Sequence, residues 1–256
     1  MRSLSVVRMA CVTLLCVAAA AHASDVTIET VLAQASAMNA TPSGKQYNAM
    51  LYAGTGMDNT KASILLCASL YPQEDMEGMV VSGVVFPGGV MRYARVLPDT
   101  PFTQCFMRRY VNQQFPPLPV TMDAFPLALV IDLATGHASD PFTSFTKKSS
   151  RDAVTRASAP LYAPRPIYPK DAVTDRATGN TMVLIVFGNL GTPTAVQMEK
   201  SSGDPRLDAA ALYAARHWVF RPTLGRRLSV RVPINFDLKT TCGDGCAKAW
   251  EPVDDQ

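Results

Sequence analysis

The sequence predicts an α+β fold in which one helix packs on an antiparallel sheet in β-β-α-β order, preceded by a diverged copy of the same plan. Three observations carry this. Residues 181–238 hold two β-rich runs, a capped helical stretch and a third run of strict period two. The first half repeats these signals in the same order. Phe115 and Phe220, Pro117 and Pro222, and the pairs Asp132-Leu133 and Asp237-Leu238 all stand 105 residues apart, an offset that strand composition alone does not produce.

In chain order, Arg2 and Arg8 flank an apolar run, Met9 to Ala21, and Ala21-His22-Ala23 reads as a cleavage site. Residues 1–23 are therefore expected to be a signal peptide, with an uncleaved inner-membrane anchor as the alternative. Residues 24–133 read as an N-terminal α+β domain. It opens with a helix from Gly44 to about Leu70, then strands over Met79–Phe86 and Val90–Leu97 joined by the turn Pro87-Gly88-Gly89. A helix over Thr103–Phe115 and a strand over Phe125–Leu133 complete this copy. Residues 134–164, rich in Ser, Thr, Pro and Lys and without apolar period, read as a linker.

Residues 165–240 form the second domain. Thr181–Phe187 is β-rich, Asn189–Thr192 supplies a turn, and Thr194–Lys200 alternates as a second strand. Asp204-Pro205 offers an N-cap followed by proline at the first helical position. Leu207, Ala211, Ala214 and Trp218 then mark one helix face and place Trp218 in the core. The last strand, Leu228–Leu238, puts Val230, Val232, Ile234 and Phe236 on one face. Pro233 within it argues for an edge strand, where a missing N–H costs little. Residues 241–256 are a tail carrying Cys242 and Cys246.

The chain has 256 residues, 48% apolar and 18% charged, enough hydrophobe for one large or two small cores. A formal net charge of +3 is too weak for a nucleic-acid footprint. With the signal peptide removed, four cysteines remain: Cys67, Cys105, Cys242 and Cys246. An even number in an exported chain favours disulfides, and the simplest pairing keeps one bridge in each half. A zinc site would need two short cysteine knuckles, and only one short pair is present. No cofactor or metal is expected.

Catalysis has little to stand on. His137 lies in the linker and His217 on the last turn of a helix, and no metal-binding His spacing, nucleophile elbow or phosphate loop occurs. Gly88 and Gly89 are explained as turn positions. Asp204 and Asp208 are explained as helix-start carboxylates, and Ser201-Ser202-Gly203 as a turn able to hold a small anion. The chain is read as a binding protein and not an enzyme.

The second domain also resembles a known family. Tyr168-Pro169, Ala172, Gly179, Val183, Phe187, Gly191, Ser201-Ser202-Gly203, Leu207-Asp208, Ala210-Ala211, Arg216-x-Trp218-x-Phe220-x-Pro222 and Val232-Pro233-Ile234-x-Phe236 are similar to the C-terminal domain of TonB, over about residues 165–238. The resemblance implies a periplasmic module related to energy-coupled outer-membrane transport. It also implies that a transporter's TonB-box peptide, or a segment of another periplasmic protein, adds as a strand beside the last strand by β-augmentation. The expected contacts are Val230, Val232, Ile234 and Phe236 on that strand, Arg226, Arg227 and Arg231 flanking it, and Arg165, Pro166, Ile167 and Tyr168 before the domain. Arg165 stands where the family carries Gln, which favours an acidic partner residue. Two alternatives share these features: an assembly protein that self-pairs into a homodimer through the same edge, and a full energy transducer if the N-terminal segment stays as an anchor.

Overall fold

The computed structural model describes residues 26–52, 56–72, 76–139, 141, 154–155, 157–223, 225–238 and 251–253. The expected signal peptide and the Cys242–Cys246 loop lie outside them. Among the described residues no helix is long and apolar enough to cross a membrane.

The first half begins with three helices, α1 (Ile28–Asn39), α2 (Pro42–Tyr52) and α3 (Gly56–Leu70). The single helix expected from Gly44 to Leu70 is thus two. Strands β1 (Gly78–Phe86) and β2 (Val90–Leu97), helix α4 (Pro101–Tyr110), and strands β3 (Phe125–Asp132) and β4 (Ala138–Ser139) follow. The sheet is antiparallel, ordered β2-β1-β3-β4. Helix α4 starts from a reciprocal cap: the Thr103 amide donates to Thr100 Oγ1 (3.2 Å) and the Thr100 amide to Thr103 Oγ1 (2.9 Å). It ends at Tyr110, short of the expected Phe115, in i→i−3 turns where the Asn112 amide donates to the Arg109 carbonyl and the Gln113 amide to the Tyr110 carbonyl (both 3.3 Å).

Both faces of this sheet are covered. Met79, Val81, Phe125, Leu127 and Ile131 pack with Phe102 and Phe106 of α4, and Val80, Ala128 and Val130 pack with Leu32 and Ala35 of α1. That is why β1 and β3 are near-continuous apolar runs with no alternation. Cys67 of α3 is bridged to Cys105 of α4 (S–S 2.07 Å), as the cysteine count implied.

The segment expected to be a plain linker contributes β4 and also β5 (Pro160–Tyr162). The Glu77 amide donates to the Leu161 carbonyl (2.8 Å), and β5 pairs with β8 (Val219–Phe220) on its other side. The Leu161 side chain enters the cluster of Leu32, Ala35 and Val80, against which Leu190 of the second half also packs. Strand β5 and the packing of Leu190 therefore link the halves.

The second half comprises α5 (Lys170–Thr174), β6 (Gly179–Phe187), β7 (Pro193–Lys200), α6 (Pro205–Ala215), β8, β9 (Leu228–Phe236) and β10 (Glu251–Val253). Its sheet is ordered β10-β9-β6-β7. Val183, Ile185 and Phe187 of β6 and Val230, Val232 and Ile234 of β9 face Leu207, Ala211 and Ala215 of α6. Trp218, 3% exposed, is core as expected. The other sheet face has no helix on it among the described residues, so β6 alternates buried with half-buried positions.

The halves share more than strand order. In each, a hairpin glycine of positive φ is clasped by a phenylalanine that follows the helix. Phe115 N donates to Gly89 O (3.1 Å) and Phe220 N to Gly191 O (2.8 Å), at φ +76° and +73°. A Cβ at Gly89 would lie 2.1 Å from Phe115 O, and one at Gly191 2.0 Å from Phe220 O, so both positions require glycine. Both helices also begin with a side-chain cap followed by proline, Thr100-Pro101 and Asp204-Pro205.

Candidate functional site

The site expected from the sequence is the outer edge of β9. On its inner side β9 pairs with β6 along its whole length, from Phe187↔Leu228 to Gly179↔Phe236. In an antiparallel ladder, residues alternately aim their backbone groups toward one neighbour and the other. Pro233, opposite Met182, has no N–H, so it loses no bond only where its nitrogen points away from β6. Pro233 thus fixes the phase. Ser229, Arg231, Pro233 and Asn235 turn their backbone groups outward, while Val230, Val232, Ile234 and Phe236 bond to β6.

The expected contact residues differ in the way their backbone groups turn. Val230, Val232, Ile234 and Phe236 are 0–2% exposed, with side chains in the core and backbone groups committed to β6. They hold the strand in place and offer an incoming strand nothing directly. The residues that do face outward, Ser229, Pro233 and Asn235, were missed, although the phase of Pro233 in the period-two pattern carries that information.

The edge is also not open throughout. Strand β10 lies antiparallel against its first part, in the register Glu251↔Arg231, Pro252↔Val230 and Val253↔Ser229. From Val232 to Phe236 no described strand lies outside β9. Among the described residues, the single edge strand expected over Leu228–Leu238 is therefore interior at its start and an edge from Val232.

The flanking residues divide between the ends of β9. Arg226 and Arg227 are exposed at its start, where the Arg226 carbonyl accepts from Thr223 Oγ1 (2.6 Å). Tyr168 is at the far end, its ring edge-on to Phe236 at 5.4 Å and its hydroxyl donating to the Ala177 carbonyl. Burial, followed by the nearby Asp237 and Asp204 carboxylates, pushes the Tyr168 phenol up. The two ends of β9, Leu228 and Phe236, are eight residue steps or about 27 Å apart. Arg231 Nε donates to Glu199 Oε2 of β7 (2.7 Å), so its charge is answered across the sheet.

Arg165 and Ile167 point elsewhere. With Pro98, Thr100, Tyr213, Arg216 and Trp218 they line a cleft of about 420 Å³ between the halves. Ile167 is 82% exposed there. Tyr168, by contrast, touches β9 directly through Phe236.

The turn read as an anion seat is occupied by the chain itself. The Ser202 amide (2.8 Å) and hydroxyl (2.7 Å) donate to Asp208 Oδ1, and the Ser201 hydroxyl donates to Oδ2 (2.5 Å). Burial works against ionisation of Asp208, yet these hydrogen bonds hold its carboxyl below the usual range. Arg206 donates to Asp204 (2.7 Å) and Asp175 (2.6 Å), and this bond brings the Asp204 carboxyl down to about 2. No group of three His, Cys, Asp or Glu able to hold a metal occurs among the described residues.

Comparison with known proteins bears on the same segment. The family described as Gram-negative bacterial TonB protein C-terminal matches residues 164–238. Protein tonB2 of Pseudomonas aeruginosa is 35% identical over 82 residues, which are 30% of this chain and 30% of that protein. Protein TonB of Xanthomonas campestris pv. campestris is 38% identical over 77 residues, 28% of this chain and 34% of that protein. These matches span about a third of each relative's length. Both relatives are named as TonB proteins. No solved structure matches the chain. Residues 164–238 are a domain of the TonB C-terminal family.

Proposed function

We propose that this is a periplasmic TonB-like binding protein that captures an extended, TonB-box-like peptide as an added strand on β9. The observation that carries the reading is the condition of that edge. β9 is the last long strand of a TonB C-terminal domain, and among the described residues its outer side carries a strand of three residues. Strand addition exchanges bonds to water for ladder bonds, each worth about 0.5–1.5 kcal/mol net. The partner is a segment of an outer-membrane transporter, and residues 1–23 serve as the export signal. The first half is a diverged copy of the same plan, supported by the shared strand order and the twin glycine clasps. Its sheet has helices on both faces, which suits it to a scaffold role.

The test is an NMR titration of isotope-labelled protein with TonB-box peptides. The expected result is a set of shifts at Ser229, Arg231 and Asn235, with Tyr168 at the far end. A well-dispersed spectrum in which these amides do not move would overturn the reading. A molar mass that doubles as the protein is concentrated would point instead to self-pairing through the edge.

A further inference from the structure

We propose that β10 is a built-in competitor for the edge of β9, so that capture of a partner peptide begins with release of the chain's own tail. This rests on the peptide-capture reading and names how that same site is regulated.

The argument lies in which part of the edge β10 covers. Ser229 and Arg231 are successive outward-facing positions, and Val253 and Glu251 stand opposite them. The next outward position is Pro233, which has no N–H to give. Beyond Arg231 a newly arriving strand therefore meets a gap in the donor row before Asn235. The stretch that offers two adjacent donors is the stretch beneath β10, so a peptide confined to residues 232–236 is poorly held and a well-held one must take the tail's place.

The tail fits this place without loss. Pro252 stands opposite Val230, whose own backbone groups face β6, so a proline there forfeits no ladder bond to β9. The same proline blunts the new outer edge against a further strand, as edge prolines do. At three residues β10 is also short enough to be displaced by a longer peptide. A site open for only a fraction of the time shows an affinity lowered by that fraction, so removing the competitor restores it.

The experiment compares three chains: the full chain, the full chain with Val253→Pro, and a chain ending at Leu238. Val253→Pro removes a donor that faces Ser229 while leaving every β9 residue in place. Amide exchange at Ser229 and Arg231 is read first, without ligand, and then the affinity for one TonB-box peptide. The expected result is faster exchange at both amides and tighter peptide binding, by about tenfold or more for the shortened chain and less for Val253→Pro. A synthetic peptide of residues 239–256 should compete with the box peptide on the shortened chain. Equal affinity for all three chains would overturn the competitor and leave peptide capture standing. Unchanged exchange at Ser229 and Arg231 would overturn it whatever the peptide does. If truncation exposes both amides and the box peptide still binds none of the chains, the capture reading fails, and with it the competitor.

Discussion

At the scale of single residues, Gly191 shows how one missing atom holds a turn to the strand that crosses it. Its φ of +73° is strained for any other residue, and a Cβ would come within 2.0 Å of the Phe220 carbonyl oxygen. Gly203 has φ +94° but nothing within 4 Å of its would-be Cβ. Gly203→Ala should therefore cost about 1 kcal/mol from the backbone alone, and Gly191→Ala on the order of 3 kcal/mol because the clasp must also shift. Urea midpoints of the two variants check the ordering, and equal losses would refute the clasp. Charge at the start of α6 gives a second expectation. The hydrogen bond from Arg206 lowers the Asp204 carboxyl to about 2. A depressed folded value stabilises the fold above the ordinary carboxylate range and loses that contribution as pH falls from about 4 through about 2. In Asp204→Asn the decline over that window should be shallower, measured as the urea midpoint at pH 5, 3 and 2.

At the scale of elements, the bridge between α3 and α4 closes a loop of 38 residues. The loop-closure argument gives it about 4 kcal/mol through the unfolded chain. The double variant Cys67→Ala, Cys105→Ala should lose most of that, and reduction of the wild type should lower its unfolding midpoint to match. A reduced wild type as stable as the oxidised one would mean that packing of α3 on α4 suffices. The same scale shows what could be read from the sequence. β6, β9 and α6 each bury one face, so their period survives in the residues and their positions were legible to within a few residues. The strands of two or three residues, β4, β5, β8 and β10, have no room for a period and exist because a neighbouring strand offers them an edge. Helix α1 buries only Val31, Leu32 and Ala35, a stripe too narrow to stand out beside the strong apolar run of residues 9–21. The candidate site suffered in the same way. Its strand was legible, but the phase of its backbone was carried by Pro233 alone, and its cover by a strand with no period.

At the scale of the molecule, the question is whether two similar sheets unfold together. Leu161 is a contact between them: its carbonyl accepts from Glu77, and its side chain, 4% exposed, enters the cluster of Leu32, Ala35 and Val80 that Leu190 also joins. Strand β5 is held to the second half through β8, so Leu161 stands where a force on either half reaches the other. Truncating a buried leucine to alanine removes its transfer energy and leaves a cavity, together about 2–5 kcal/mol. Here the loss falls on the joint and leaves each half its own core, Phe106 and Phe125 in the first and Phe187 and Phe220 in the second. Leu161→Ala should therefore do more than lower stability. It should split one calorimetric transition into two, with Trp218 fluorescence following the second half once Trp250 is replaced by Phe. Leu65→Ala, at a position 64% exposed on α3, should leave the single transition intact. If Leu161→Ala lowers the midpoint and the transition stays single, the halves are coupled by more than this strand, and the first sheet is part of what keeps the edge of β9 in place.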